Sequence, residues 1–386
     1  MDSLQLATTF LESELQGRYI TNEHIVSLLN HLNNRFKISV EGKSVLDRPI
    51  YSVRFGVGKI KILAWSQMHG NESTTTKALF DFFNYLSSNE SMANNWYTGF
   101  TFLSIPILNP DGAAIYTRAN ANEVDLNRDS FNITQPESKL LRQLYEEFEP
   151  DYCFNLHDQR TIFGTDGFNL PASVSFLAPA FDESRTFNET RYKAVAVIEA
   201  MNRNLRAIIP NQIGRFDDSF NINCIGDYLT YRNTPTILFE AGHFKEDYQR
   251  EQVRKFIFCA LWSGFQAINE NVIVSNNLED YLNISQNSKC FYDFLYKNVR
   301  IIDNSQEKLI NFAAQFTEIL REDKIHFEAY IVQIENLEGY VGHYEFDAEG
   351  ALFNASYGNE PKIGEKANFS IGDRIKFING IQYQQL

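Results

Sequence analysis

Through the first 270 residues, short and largely apolar runs alternate with longer segments that have helical periodicity. Four of these runs are "KIKILAW" (59–65), "FTFLSIPIL" (100–108), "DYCFNLHDQ" (151–159) and "TPTILFEAG" (234–242). Strands that are apolar along their length are buried on both faces, which is typical of parallel sheets covered by helices. The alternation therefore predicts an α/β fold, a mixed and mostly parallel sheet with helices on both faces.

Composition narrows the classes of function. The 386 residues are 44% hydrophobic and carry a net charge of −14, as expected of a soluble globular protein with a large core. Proteins that bind nucleic acids neutralise phosphates with Lys and Arg, so this acidic chain predicts no nucleic-acid partner. The four cysteines are scattered without C-x-x-C spacing, which indicates reduced thiols rather than a disulfide framework. The first residues do not show the basic stretch followed by an apolar stretch that is typical of a signal peptide. No run reaches the roughly 18 apolar residues of a transmembrane helix. We therefore predict a cytoplasmic protein without a membrane partner. The oligomeric state stays open.

The composition and the hydrophobic pattern change near residue 275, which predicts two domains, residues 1–275 and residues 276–386. The second begins with the polar, linker-like "SNNLEDYLNISQNS". In it, "EKLINFAAQFTEILRED" (307–323) has helical spacing, whereas "HFEAYIVQI" (326–334), "EGYVGHYEF" (338–346) and "DRIKFING" (373–380) alternate like strands. We therefore expect a small α+β appendage of unknown role.

Polar side chains stand where the apolar runs of the first domain end. They are His69, Asn109, His157 and Glu240. Ligands of open α/β sheets bind at the carboxyl ends of the strands. These positions are therefore candidates for a functional site, although each one alone is more often a hydrogen-bonded structural residue.

The spacing of His and Glu is compatible with a metal site. A catalytic zinc needs three N or O ligands and an open position for water. His69 and Glu72 in "MHGNEST" offer two, and His157 in "FNLHDQ" offers the third, with His243 as the only rival. Glu240 closes an apolar strand, where partial desolvation would raise its proton affinity and suit it to act as a general base. The alternative for Glu240 is a buried pair with an arginine.

A loop-like stretch, "NPDGAAIYTRANANEVDLNRDSF", lies between these positions and contains Arg118, Asn127 and Arg128. A guanidinium binds carboxylates through a planar fork and can stabilise an oxyanion. Surface ion pairing is the alternative role for either arginine alone.

The motifs taken together resemble a known family. "HGNE", "NPDG", "RANANEVDLNR", "NLHD" and "LFEAG" occur in the order and strand-end contexts of the zinc carboxypeptidases, the carboxypeptidase A-like metallopeptidases. The opening "EGKSVLDRPIYSVRFG" also resembles that family's hairpin, and the resemblance covers about residues 20–270. It implies a zinc-dependent metallocarboxypeptidase that hydrolyses the C-terminal peptide bond of peptides.

The resemblance assigns a role to each candidate residue. It implies one Zn²⁺ per chain held by His69, Glu72 and His157, with Glu240 as general base and Arg118 as oxyanion stabiliser. Asn127 and Arg128 would bind the C-terminal carboxylate of a peptide substrate.

Some features depart from the family pattern. Where the family places a substrate-capping Tyr, this chain has Phe220, and the specificity position falls near uncharged Gly226, while Asp227 matches a structural Asp. "NANEVDLNRD" is also similar to a bacterial branch that trims cell-wall peptides, and this resemblance makes a cell-wall-derived peptide a candidate substrate. Two alternatives stay open: an N-acyl amino acid deacylase of the aspartoacylase or succinylglutamate desuccinylase type, and a catalytically silent module that binds C-termini.

Overall fold

The computed structural model describes residues 2–273, 278–303 and 306–383. These residues form two compact units, Met1–Arg160 with Thr165–Asn287, and Thr161–Gly164 with Ser288–Leu386. The predicted boundary between residues 275 and 276 lies in the segment 274–277, outside the described residues.

The first unit is built of helices and one large sheet. Its described α-helices are α1 Ser3–Thr9, α2 Asn22–His31, α3 Thr74–Ser87, α4 Ser91–Gly99, α5 Pro110–Ile115, α6 Pro136–Phe148, α7 Glu189–Arg206, α8 Ile225–Tyr231, α9 Glu251–Asn269 and α10 Glu279–Leu282. A 3₁₀ helix spans Leu126–Arg128. No helix of the described ranges combines the length and the apolar character needed to cross a bilayer.

In the described residues, eleven strands make the large sheet. They are β1 Phe36–Lys43, β2 Pro49–Phe55, β3 Ile60–Trp65, β4 Phe100–Ile105, β5 Tyr152–Asp158, β6 Phe163–Thr165, β7 Leu170–Pro171, β8 Val174–Leu177, β9 Ile213–Arg215, β10 Thr236–Ala241 and β11 Ser285–Lys289. Their order is β1-β2-β4-β3-β5-β10-β8-β9-β11-β6-β7. Strands β4, β3, β5 and β10 run parallel, while the β1–β2, β2–β4 and β10–β8 pairs are antiparallel. The predicted mixed sheet is confirmed.

Helices cover both faces of this sheet because its central strands are apolar on both sides. One face packs against α3, α7 and α9, where the Phe265 ring contacts those of Phe82, Phe102 and Phe154 at centroid distances of 4.9, 5.1 and 6.1 Å. The other face packs against α6 and α8. Side chains alternate along a strand, so each strand contributes to both cores.

A buried ion cluster joins α3, α9 and the chain before α2. The Arg254 guanidinium donates to both carboxylate oxygens of Asp81 (2.9 and 2.6 Å) and to Glu251 (3.1 Å), and both members of the Arg254–Asp81 pair are 0% exposed. It also donates to the carbonyl oxygens of Glu12 and Leu15. These bonds add to the apolar packing of Leu6, Ala7 and Leu15 in attaching the N-terminal segment to the domain core.

The second unit consists of strands in its described residues. They are β12 Phe291–Asp303, β13 Gln306–Arg321, β14 Lys324–Ile334, β15 Val341–Asp347, β16 Phe353–Asn354, β17 Phe369–Ile371, β18 Ile375–Ile378 and β19 Ile381–Tyr383. Two four-stranded sheets result, in the orders β14-β13-β12-β15 and β16-β17-β18-β19.

The helix predicted over 307–323 is therefore wrong, because this segment is strand β13. Ile310, Phe312 and Ala314 alternate into the core of the second unit. The antiparallel pairing of β13 with β14 shifts register between Ala313 and Ala314. This irregularity allows two consecutive alanines to lie within one strand. The spacing of apolar residues in this segment also fits one face of a helix, but pairing with two long neighbouring strands determines its structure.

Candidate metal and catalytic site

A turn after β3 delivers the first two candidate ligands. The Glu72 N–H donates to the His69 carbonyl (3.1 Å), which places both side chains on the same side of the turn. Between them, Gly70 approaches the backbone of Gly112 so closely that a Cβ would lie 2.0 Å from its carbonyl carbon. Only glycine fits there, and the turn can therefore sit directly on α5.

His157 joins them from the neighbouring strand. Because β3 and β5 run parallel in adjacent positions, their carboxyl ends lie side by side. His69 Nδ1 is 2.8 Å from Glu72 Oε1, and His157 Nδ1 is 2.8 Å from Glu72 Oε2 and 3.1 Å from His69 Nδ1. All three side chains are buried, and their ligand atoms lie within 4.8 Å of one another.

This donor set fits a divalent zinc ion. Two imidazole nitrogens and one carboxylate match the three protein ligands of catalytic zinc sites, and nitrogen atoms that face each other at 3.1 Å suit a shared cation. Burial opposes ionisation of Glu72, but His69 and His157 outweigh it and hold the pKa of that carboxyl well below its usual range. Burial lowers the pKa of His157, which favours the neutral imidazole that a metal requires.

Asp125 connects this cluster to Arg118 and was not singled out from the sequence. Its Oδ1 lies 3.0 Å from His69 Nε2, and its Oδ2 accepts from Arg118 Nε at 3.0 Å. A carboxylate on the outer nitrogen fixes the tautomer of a ligating histidine, so that Nδ1 of His69 faces the ligand cluster. The signal available beforehand was only its place in "VDLNR", two residues before Asn127.

Arg118 reaches the ligand cluster as well. Its Nη1 donates to Glu72 Oε1 at 3.2 Å, and its side chain is 48% exposed. The guanidinium therefore lies between a ligand carboxylate and solvent, where a bound molecule can contact it.

Glu240 stands beside His157 in the sheet. The two are register partners of parallel strands β10 and β5, so their side chains project from the same face. Glu240 Oε2 is buried and accepts no hydrogen bond from the described residues. Burial, together with the negative charges of Glu72 and Asp158, raises the pKa of Glu240 well above its ordinary value. The buried Glu–Arg pair considered from the sequence is not among the ion pairs of the described residues.

Asn127 and Arg128 lie on the 3₁₀ helix, beside the start of α8. Asn127 Oδ1 accepts from the backbone N–H of Ile225 (3.0 Å), and Arg128 Nη1 donates to its neighbour's carbonyl (2.7 Å) and to Cys224 Sγ (3.1 Å). The Asn127 N–H donates to Asp125 Oδ1 (2.9 Å), so one carboxylate links this helix to His69. Arg128 is exposed.

Comparison with known proteins identifies the segment that carries these residues. Residues 21–179 match the zinc carboxypeptidase family. The predicted resemblance is thereby confirmed for the segment, which ends before Glu240. It contains His69, Glu72, His157, Arg118, Asn127 and Arg128.

Curated relatives align with parts of the chain. Probable carboxypeptidase 2 of Trichophyton verrucosum is 26% identical over 100 residues, which are 25% of this chain and 19% of that protein. Carboxypeptidase SOL1 of Arabidopsis thaliana is 30% identical over 151 residues, 33% of this chain and 31% of that protein. The chain thus spans about a fifth to a third of the length of these relatives.

Solved structures share the fold over a longer stretch. A metallo-carboxypeptidase from Burkholderia cenocepacia has a TM-score of 0.54 at 17% identity, over 66% of this chain and 70% of that one. Carboxypeptidase A from Helicoverpa armigera has a TM-score of 0.52 at 16% identity, over 69% and 80% of the two chains. The fold shared with these two structures therefore extends beyond residue 179.

Two further sequence candidates lie apart from the three-ligand group. His243 is buried, with its ring 4.6 Å from that of Tyr248, and the metal-binding group found in the described part of the chain consists of His69, Glu72 and His157. Phe220, where a capping Tyr was sought, is half-buried in a segment without helix or strand.

Proposed function

We propose that the first unit is a zinc-dependent metallocarboxypeptidase that removes C-terminal residues from peptides. The observation that carries this proposal is the convergence of His69, Glu72 and His157, with the unpartnered carboxyl of Glu240 beside His157. The family match over residues 21–179 supports the same reaction. The division into a catalytic unit at residues 1–275 and an appendage at 276–386 remains a proposal.

The metal would supply the electrophile. When bound, zinc lowers the pKa of a coordinated water to near neutral and polarises the carbonyl of the scissile bond. The residues that would hold it are His69, Glu72 and His157. Asp125 keeps His69 in the tautomer that binds.

Glu240 handles the proton in this scheme. Its raised pKa makes it a proton acceptor, and a nearby divalent cation lowers that pKa into a range where the carboxylate is available. Glu240 takes a proton from the attacking water and returns it to the leaving amine. The guanidinium of Arg118 donates to the oxyanion that develops on the former carbonyl oxygen.

Asn127 and Arg128 would restrict cleavage to chain ends. A guanidinium and a carboxamide side by side offer several N–H donors to the two oxygens of a terminal carboxylate. Their attachment to the start of α8 fixes where that carboxylate binds.

The most direct test is digestion of a mixed peptide library, read by mass spectrometry. Loss of single residues from free C-termini is expected. Release of acyl groups from N-acyl amino acids would instead favour the deacylase, and binding without turnover would favour a silent module. Including muropeptides tests whether cell-wall peptides are substrates. The cytoplasmic location stays a prediction from the sequence, testable by cell fractionation.

We expect one zinc per chain, and its loss on removing a ligand. Wild-type protein expressed with ample zinc should contain about one equivalent, whereas His157→Ala should bind zinc far more weakly because two ligands remain. Metal analysis and thermal melting check this, since a bound ion adds to the stability of the native state. Zinc content well below one equivalent in the wild type, unchanged by His157→Ala, contradicts the site.

Arg128→Ala should weaken turnover of free C-termini. Because Arg128 is exposed, we expect the lower end of the range for a charge-pair partner, about 2 kcal/mol, or roughly 30-fold in kcat/KM. The measurement compares each peptide with its C-terminally amidated form, and Arg206→Ala on α7 is the matched control. Equal cleavage of free and amidated peptides by the wild type would refute the exopeptidase proposal.

A further inference from the structure

The sheet face that carries His157 and Glu240 also carries a buried carboxamide. Asn155 lies two residues before His157 on β5, so both side chains project from the same face. The Asn155 side chain is 2% exposed, and its Oδ1 accepts no hydrogen bond from the described residues. Buried polar atoms are nearly always paired in folded proteins, so this acceptor calls for a partner from outside the chain.

The neighbours of Asn155 in the sheet point to open space above it. Its register partners are Trp65 on β3 and Leu238 on β10. Trp65 Nε1 is a second buried polar atom with no partner in the described chain, and it is a donor. Leu238 keeps some exposure in a central strand, whereas the next residue, Phe239, on the other face, has none. A partly exposed leucine at the centre of the sheet indicates that a cavity lies over this face.

Gly226, in the first turn of α8, forms the opposite wall. A Cβ at this position would lie 2.9 Å from Pro179 Cγ and 3.9 Å from Asn155 Nδ2. The start of α8 therefore packs closely here, and a side chain at Gly226 would have to displace Pro179. The two preceding residues, Cys224 and Ile225, are those that contact Arg128 and Asn127.

We propose that Asn155 selects substrates whose C-terminal residue has a neutral hydrogen-bonding side chain, with the carboxamide of Gln or Asn as the best fit. This inference rests on the proposed function. The terminal α-carbon lies between the carboxylate and the scissile bond, so its side chain enters the space between Asn127–Arg128 and the metal ligands. Asn155 and Gly226 line that space.

A carboxamide suits the groups present. It offers both a donor and an acceptor, which pair with the Asn155 amide in either orientation and leave neither group unsatisfied. An apolar side chain of equal size would leave Asn155 buried and unpaired, which is how polar pockets reject apolar analogues.

The surroundings do not favour a charged side chain. Arg128 is assigned to the terminal carboxylate. Asp227 accepts hydrogen bonds from the backbone N–H groups of Asn221 and Ala180, and burial raises its pKa to about 7. A buried ammonium or carboxylate in the pocket would therefore lack a fully ionised partner of opposite sign.

The test compares N-blocked peptides that differ only in a C-terminal Gln, Met, Leu, Glu or Lys, cleaved by the wild type and by Asn155→Leu. We expect the wild type to prefer Gln over Met by at least about 10-fold in kcat/KM, and Asn155→Leu to remove or reverse that preference at equal zinc content. Because the ratio of kcat/KM for two substrates is measured on a single variant, differences in folding and metal loading between variants cancel. A wild-type preference for Met, Leu or Lys, or a ratio unchanged by Asn155→Leu, overturns the proposal. If Asn155 only binds a buried water, the ratio of kcat/KM for Gln over Met should be the same in the wild type and in Asn155→Leu.

A binding measurement keeps the proposal separate from the proposed reaction. Calorimetry of L-Gln against L-Met on the zinc-loaded protein measures selection without turnover, and about a 10-fold preference for L-Gln is expected. If no peptide is cleaved but this preference holds and is lost in Asn155→Leu, the proposed reaction fails and the role of Asn155 stands. Equal binding of L-Gln and L-Met overturns the role of Asn155.

Discussion

Glu240→Gln is expected to lower kcat by at least about 100-fold while leaving zinc in place. Glutamine keeps the shape of the side chain but cannot accept a proton at neutral pH, and positioned acid–base catalysis contributes about 10²–10⁴-fold. Glu240 is not among the three converging ligand atoms, so metal content should stay near one equivalent. KM should change little, because the loss occurs in the transition state.

Stability measurements on the same variant separate catalysis from a structural role. The pKa of Glu240 is higher in the native state than in the unfolded chain, so the protonated side chain adds to the free energy of unfolding at acid pH. This contribution is lost as pH rises through the native-state pKa of Glu240. Glutamine imitates the neutral form, and the metal-free variant should therefore melt no lower than the wild type near neutral pH. Glu72→Gln is the contrasting variant, since it alters a candidate ligand and should lose zinc. A folded, zinc-loaded Glu240→Gln protein with near wild-type turnover would remove Glu240 from the mechanism, leaving His243 as the next candidate base.

Arg254→Met should reduce the free energy of unfolding of the first unit by about 3–5 kcal/mol, because it leaves the buried carboxylate of Asp81 without its partner. The carbonyl groups of Glu12 and Leu15 lose a donor in addition. Arg203→Met, on the exposed side of α7, is the matched control and should change stability by less than about 0.5 kcal/mol.

The loss of unfolding free energy in Arg254→Met should depend on pH. Burial raises the pKa of Asp81 to about 6 despite the lowering effect of Arg254, so in the native wild type this carboxyl ionises as pH rises through about 6. Without Arg254 that ionisation becomes more costly, and the loss of stability should be larger at pH 7–8 than at pH 4–5. Adding Asp81→Leu should recover part of the loss at high pH. Denaturant unfolding at several pH values measures this, and a deficit independent of pH would show that the carboxylate is not its source.

Much of the first unit could be predicted from local pattern. "KIKILAW" and "TPTILFEAG" are too short and too apolar for anything but buried strands, and both became central strands, β3 and β10. Because parallel strands end at one edge, the polar residues after them had to lie near one another. The second unit was less predictable, since the spacing of Ile310, Ala313 and Ala314 fits a helix as well as a bulged strand.

The sequence by itself determined the alternation of strands and helices, and hence the strand-end positions of His69, Glu72, His157 and Glu240. Only the tertiary structure decided that Glu240 is the register partner of His157, because register depends on which strands become neighbours. It also decided that Asp125 bonds His69 and that Asn155 is left without a partner, since both depend on side chains brought together from distant parts of the chain. Local pattern fixes which face a side chain occupies, whereas hydrogen-bond partners are set by long-range packing that no short stretch of sequence encodes.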